Sequence, residues 1–115
     1  MSHKTLLIVD DETDIRESLR EALSEEGYIT LVATNGQEAL RLLPTLERPC
    51  AVILDIIMPV MGGAEVYTAM QLDPGLADIP VLISTSDPSR APARVPLLKK
   101  PVNLDRLLTM VAGLF

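Results

Sequence analysis

The sequence is poor in aromatic side chains and has a single cysteine. Tryptophan is absent, and aromatic residues make up 3% of the chain, whereas hydrophobic residues as a whole make up 48%. The lone Cys50 cannot form a disulfide within the chain, and its place at the start of an apolar run favours a packed thiol over a reactive one. The core must therefore be aliphatic, as it is around buried parallel strands.

Basic residues and long apolar runs are also scarce. The chain has 10 basic and 16 acidic residues, so its net charge is −6. This is unfavourable for nucleic acid, whose affinity comes largely from Lys and Arg neutralising phosphates. No apolar run reaches the roughly 18 residues of a membrane span, and no secretory segment precedes the first strand. We expect one cytoplasmic domain over residues 1–115 with no nucleic-acid or membrane partner, and a terminal surface position for His3.

The most informative stretch is AVILDIIMPVMGG, residues 51–63. Its first four residues predict a strand buried on both faces, which places the carboxylate of Asp55 at the carboxyl end of that strand. Met58-Pro59 and Gly62-Gly63 then end the strand and form a loop. An acid at this position is either part of a site or an ordinary cap or turn residue, and the stretch alone leaves both open.

Strand and helix patterns alternate along the whole chain. Thr13 is a plausible helix N-cap and Gly27 a plausible C′ residue, while Asn35 followed by Glu38 has the spacing of a capping box. A third helix is predicted at 64–72, and Asn103 is expected to cap a last one. Strands are predicted at 5–10, 29–33, 51–54, 79–84 and 95–98. Such alternation predicts a doubly wound α/β fold with a five-stranded parallel sheet.

Residues 86–95 break this alternation. Prolines at 88, 92 and 96 would each cost a helix interior about 3 kcal/mol, so a Pro-rich loop is predicted here instead of a helix.

In an open α/β sheet, ligands bind outside the carboxyl ends of the strands. That rule gathers five residues at one edge: Asp10, Asp11, Asp55, Thr85 and Lys100. Clustered carboxylates repel one another unless a hard cation lies among them, and Mg²⁺ prefers oxygen ligands. With a metal present, Asp55 could act as a nucleophile toward a phosphoryl group. Lys100 would neutralise the transferring oxygens and Thr85 would hydrogen-bond one of them.

Four motifs in order resemble the receiver domains of two-component response regulators. They are IVDDE at 8–12, LDIIMPVMGG at 54–63, PVLISTS at 80–86 and LLKKPV at 97–102. The resemblance covers the whole chain and implies a flavodoxin-like sheet of order 2-1-3-4-5. It further implies that the Lys100-Pro101 bond is cis.

The resemblance also assigns roles to the site residues. Asp55 would take a phosphoryl group from the phosphohistidine of a histidine kinase or histidine phosphotransfer protein. Asp11 and Asp55 would bind Mg²⁺ (or Mn²⁺) directly, with the backbone carbonyl of Ile57, and Asp10 would help through water. Thr85 and Lys100 would hold the phosphoryl oxygens.

Ser84 and Ser86 flank Thr85, and by strand alternation one of them points away from the site. The docking face for the phosphodonor would be the first helix, where Ile15 is either an exposed anchor or part of the core.

The chain departs from the family pattern in two places. Receivers commonly have a fourth helix before the lysine strand, but Thr85 and Lys100 are only 15 positions apart, so the Pro-rich loop is expected to replace it. A variant class without this helix carries a Phe-Ala-Thr-Gly-Tyr motif, of which Thr85 alone is kept. Leu97 stands where an aromatic residue is usual. We therefore expect phosphorylation to order residues 86–95.

The favoured interpretation is a single-domain response regulator that is not an enzyme in the usual sense and signals to an unknown downstream protein. A degenerate receiver that only binds proteins is the alternative, and the intact set of five site residues argues against it. A phosphatase of the haloacid-dehalogenase type would need a second acid two residues after Asp55, where this chain has Ile57.

Overall fold

A five-stranded parallel sheet forms the centre of the molecule. The structure is a computed structural model that describes residues 4–115, so the expectation for His3 lies outside the described residues. The strands follow the order β2-β1-β3-β4-β5, which confirms the doubly wound, flavodoxin-like class. Their bounds are β1 Thr5–Val9, β2 Ile29–Ala33, β3 Cys50–Asp55, β4 Val81–Thr85 and β5 Leu97–Lys99.

Four helices cover the two faces of the sheet. They are α1 Thr13–Glu25, α2 Gly36–Leu42, α3 Gly63–Leu72 and α4 Leu104–Leu114. Alternate residues of the central strands pack against α1 and α4 on one face and against α2 and α3 on the other. The three inner strands β1, β3 and β4 are buried at every position. This explains why their sequences are almost continuously apolar, since both faces of each strand lie under helices.

Three helix ends test the capping expectations. Asn35 caps α2, because its side chain accepts a hydrogen bond from the Glu38 amide at 2.9 Å. Gly27 follows α1 with a φ of +91°, a conformation that favours glycine. Thr13, however, is the first residue of α1, and Glu12 holds the N-cap position. The prediction was wrong by one residue because Asp10 accepts the Glu12 amide and turns the chain earlier.

Between β4 and β5 the described chain contains a single 3₁₀ turn, Pro88–Arg90, and no α-helix. The expected replacement of the fourth helix by a Pro-rich loop is therefore confirmed. Ala91 and Val95 pack against the core layer of α2 and α3, so the loop takes over part of the cover that a helix would provide.

Within residues 4–115, none of the helices combines the length and the apolar character that crossing a bilayer requires.

Candidate functional site

Two buried carboxylates lie side by side at the carboxyl edge of the sheet. Asp10 follows β1 and Asp55 ends β3, and their side chains are 2% and 5% exposed. Val9 and Leu54 are register partners, so the next residues, Asp10 and Asp55, are adjacent. Asp11 is exposed, yet oxygen atoms of all three carboxylates lie within 4.8 Å of one another. The chain thus brings its three predicted metal-binding acids together.

Backbone amides fix the orientation of the two buried acids. Asp10 Oδ1 accepts the Glu12 amide at 2.9 Å, and Asp55 Oδ1 accepts the Ile57 amide at 3.2 Å. Arg16 adds a third restraint, since its Nη1 donates to the backbone carbonyl of Asp10 at 3.0 Å. Each acid therefore keeps Oδ2 turned toward the centre of the site.

The ammonium of Lys100 lies at that centre. Its Nζ is 2.8 Å from Asp10 Oδ2, 3.2 Å from Asp55 Oδ2 and 3.6 Å from Glu12 Oε1. Its backbone amide donates to the Thr85 carbonyl at 2.8 Å, which ties the end of β5 to β4. The Lys100-Pro101 bond is cis, as the resemblance implied. One lysine therefore contacts the ends of both β1 and β3.

The charges of this cluster alter the affinity of its groups for protons. Burial raises the pKa of Asp55 above its ordinary value; the Lys100 charge opposes this and the Asp10 charge adds to it. Burial alone would lower the pKa of Lys100, but its hydrogen bonds and charge attraction to Asp10 and Asp55 outweigh burial and raise it. The lysine is thus held as a cation, while the charge on Asp55 is incompletely compensated.

Thr85 lies at the same edge of the sheet, and its hydroxyl oxygen has a partner in the loop that follows. The residue is fully buried at the end of β4. By strand alternation, its side chain lies on the same face of the sheet as that of Ile83, which packs in the core layer of α2 and α3. Its Oγ1 accepts the Asp87 amide at 3.1 Å. The oxygen accepts this amide with a lone pair, so the hydroxyl proton of Thr85 is left for another acceptor.

The loop after Asp55 passes very close to the neighbouring backbone. The Gly63 amide donates to the Ile56 carbonyl at 3.0 Å, and a Cβ on Gly63 would overlap the backbone carbonyl of Asp55. Only glycine fits here. Val60 in this loop has a φ of +70°, and the apolar side chains of Val60 and Ile57 are exposed.

The sequence analysis did not identify Arg16 as part of the site. Its position one turn into α1 could have been a signal, because a long side chain there points back toward the turn that precedes the helix.

The donor set fits a hard divalent cation. Three carboxylates within one ion's reach supply oxygen ligands, and Asp11, on the solvent side, leaves room for water. Asp11 and Asp55 are the residues that would hold Mg²⁺, with Asp10 behind them beside Lys100.

A doubly wound sheet whose carboxyl edge joins acids from β1 and β3 with a lysine after β5 is the arrangement that the resemblance to receiver domains implied. Comparison with known proteins tests this resemblance. The family model described as the response regulator receiver domain matches residues 6–112. The chain belongs to this family.

Two relatives and two solved structures illustrate the similarity. Response regulator MprA of Mycolicibacterium vanbaalenii is 39% identical over 116 aligned positions, which cover 95% of this chain and 49% of MprA. A response regulator receiver protein of Anaeromyxobacter sp. is 40% identical over 109 positions, covering 90% of this chain and 45% of that protein. The chain thus spans about half the length of the curated relatives it matches.

The fold agrees closely with solved receivers. The chemotaxis protein CheY4 of Vibrio cholerae superposes with a TM-score of 0.88 at 28% identity, covering 99% of this chain and 100% of that one. The response regulator TrrA of Thermotoga maritima, solved in complex with Mg²⁺ and BeF, gives 0.86 at 34% identity, covering 97% and 99%.

Proposed function

We propose that this chain is the phosphoacceptor of a phosphorelay: Asp55 takes a phosphoryl group from a phosphohistidine in a Mg²⁺-dependent reaction. The observation that carries the proposal is the position of Lys100 Nζ, which contacts the carboxylates of both Asp10 and Asp55. A cation held beside a nucleophilic carboxylate and an acid cluster serves to neutralise transferring phosphoryl oxygens.

The chemical step is a substitution at phosphorus. An Asp55 carboxylate oxygen attacks the phosphorus, the N–P bond of phosphohistidine breaks, and the imidazole nitrogen leaves and takes up a proton. Asp55 then carries an acyl phosphate. Mg²⁺, when bound, would neutralise negative charge on the phosphoryl group. Lys100 would exchange its contact with Asp55 for the phosphoryl oxygens, and the Thr85 hydroxyl would donate its proton to one of them.

The phosphodonor would dock beside the first helix. A groove of about 340 Å³ runs along α1 to the residues after β5 and is lined by Ile15, Leu19, Lys100 and Pro101, among others. Ile15 is half-buried, so it packs on the core and also faces the groove. This mostly apolar groove with Lys100 at its end fits a helical surface that presents a histidine. We propose a histidine kinase or histidine phosphotransfer protein as the partner.

Transfer of labelled phosphate tests the proposal. Candidate kinases, or phosphotransfer proteins labelled on histidine, are incubated with the protein in Mg²⁺, and label on the protein is followed with time. Label should appear on the wild type and be absent from Asp55→Asn. Binding of a donor without any transfer would instead favour a receiver that acts only as a protein-binding module.

A further inference from the structure

Ser84 has a buried hydroxyl that the reaction as described does not use. The residue is 1% exposed, and its Oγ is one of two buried side-chain polar atoms in residues 4–115 that have no hydrogen-bond partner. An orphaned buried hydroxyl costs stability, and a serine kept at such a place calls for an explanation.

The register of the sheet places Ser84 directly beside the phosphoacceptor. Ser84 is the register partner of Asp55 on one side and of Leu98 on the other. All three lie on the face covered by α1 and α4, because Ile53, Leu82 and Leu98 belong to that core layer and strand side chains alternate. Ser84 therefore follows Asp55 in the same row across the sheet.

Lys100 reaches Asp55 from the far side of β4. Lys100 lies two residues after Leu98 on β5, yet its Nζ reaches Asp55 on β3 and Asp10 beyond it. Because β4 lies between β3 and β5, the Lys100 side chain spans the carboxyl end of β4. Ser84 is the β4 residue that pairs with Asp55 and shares its face of the sheet.

We propose that Ser84 is a positioning residue of the phosphoacceptor site, whose hydroxyl donates a hydrogen bond to the Asp55 carboxyl when Lys100 turns from that carboxyl to the phosphoryl oxygens. The inference rests on the proposed function. In the metal-free protein Asp55 accepts from Lys100 and from the Ile57 amide. Departure of Lys100 removes one of these donors, and the adjacent Ser84 hydroxyl is free to replace it.

If Ser84 has this role, removing its hydroxyl should not lower the stability of the metal-free protein but should weaken ligand binding at the loaded site. Removing the hydroxyl takes away an unpartnered group from the metal-free protein, which is neutral or stabilising. It also takes away a hydrogen bond from the loaded site, which lowers the affinity of that site for its ligand by about fivefold, the usual scale of one such bond. A purely structural role would instead lower the stability of the metal-free protein.

The experiment measures both properties in the full chain. Urea unfolding in EDTA gives the stability of the metal-free form, and titration calorimetry gives the affinity for beryllium fluoride in saturating Mg²⁺. For Ser84→Ala we expect unfolding at the same or a higher urea concentration and about fivefold weaker beryllium fluoride binding. Thr5→Val, which removes a buried hydroxyl at the opposite end of the sheet, should leave the affinity unchanged.

A second pair of variants separates the hydroxyl from side-chain volume. Ser84→Thr and Ser84→Val have nearly the same shape, so the threonine variant should bind beryllium fluoride more tightly than the valine variant. Equal affinity in this pair, or wild-type affinity in Ser84→Ala, would overturn the inference while leaving the proposed function intact. If the wild-type protein neither binds beryllium fluoride nor accepts a phosphoryl group, both the inference about Ser84 and the proposed function would be overturned.

Discussion

At the scale of single residues, Asp55 carries a charge that its surroundings do not fully compensate. Its carboxylate is buried beside Asp10, and the ammonium of Lys100 is shared between the two acids. Burial together with the Asp10 charge raises the pKa of Asp55 despite Lys100. The folded metal-free protein therefore holds this proton more tightly than the unfolded chain does.

Replacement of Asp55 by asparagine should stabilise the metal-free protein. Because the folded pKa is raised, the stability that protonated Asp55 contributes is present below its ordinary value of 3.8 and is lost as pH rises through the folded pKa. Asn cannot ionise, so Asp55→Asn should gain on the wild type as pH rises toward neutrality, by on the order of 1 kcal/mol. Urea unfolding in EDTA across this pH range measures the difference.

Glu21→Gln is the matched control, because it neutralises an exposed acid on α1 away from the site. It should change stability little across the same range. A constant difference between Asp55→Asn and wild type at every pH would contradict the assignment of the effect to ionisation of Asp55.

The residue-level prediction from sequence worked where the backbone decides position. Asp10 and Asp55 come together because each follows an apolar strand of a parallel sheet. The partners of Lys100, the Asp87 contact of Thr85 and the restraint by Arg16 were beyond sequence reasoning, since they depend on which way side chains turn after the elements pack. The catalytic and metal-binding roles of these residues remain predictions.

At the scale of elements, the Pro-rich loop after β4 is coupled to the site through one hydrogen bond. The Asp87 amide donates to Thr85 Oγ1, and the Asp87 side chain accepts the Ser89 amide to start the 3₁₀ turn. If the Thr85 hydroxyl donates to a phosphoryl oxygen, Thr85 is held in place and the hydrogen bond from the Asp87 amide to its oxygen is reinforced, which orders the first residues of the loop.

Loading of the site should therefore alter amide exchange in residues 86–95. We expect Mg²⁺ with beryllium fluoride to slow exchange at the non-proline amides there by about tenfold, a typical size for a modest local coupling. Hydrogen exchange followed by mass spectrometry or NMR measures this, with the buried amides of β1 as the unchanged reference. Exchange rates in the loop that do not respond to the ligand would rule out the coupling.

Element boundaries were less accurately predicted than element types. Ile79 was assigned to β4, but its amide bonds the Leu76 carbonyl in a turn, so the strand begins at Val81. The last strand was assigned from residue 95, but it begins at Leu97, after Arg94 turns the chain with a φ of +67°. Periodicity locates buried segments, whereas local turns decide where pairing starts.

At the scale of the whole molecule, the cluster of three carboxylates at one edge of the sheet should make stability depend on divalent cations. A ligand that binds only the folded state stabilises it by mass action. Mg²⁺ at ten times its dissociation constant should add about 1.4 kcal/mol, which raises the unfolding midpoint by roughly 6 °C for a domain of this size. Differential scanning calorimetry with Mg²⁺ and with EDTA measures the shift.

Asp11→Asn should lose most of this shift, because it removes the exposed carboxylate of the cluster. Asp78→Asn neutralises an exposed acid that pairs with Arg48 and is not part of the cluster, so this variant should keep the Mg²⁺-dependent shift. Equal shifts in the two variants would show that Mg²⁺ acts through general charge screening and not through this site.

The contact between Lys100 and Asp10 joins residues that are 90 positions apart in the chain. A nascent polypeptide that has not yet added its final strand already possesses every acid of the cluster but lacks the ammonium that offsets their repulsion. If Asp55 accepts a phosphoryl group as proposed, a molecule that lacks β5 and Lys100 would keep the three acids but lose the capacity to accept it.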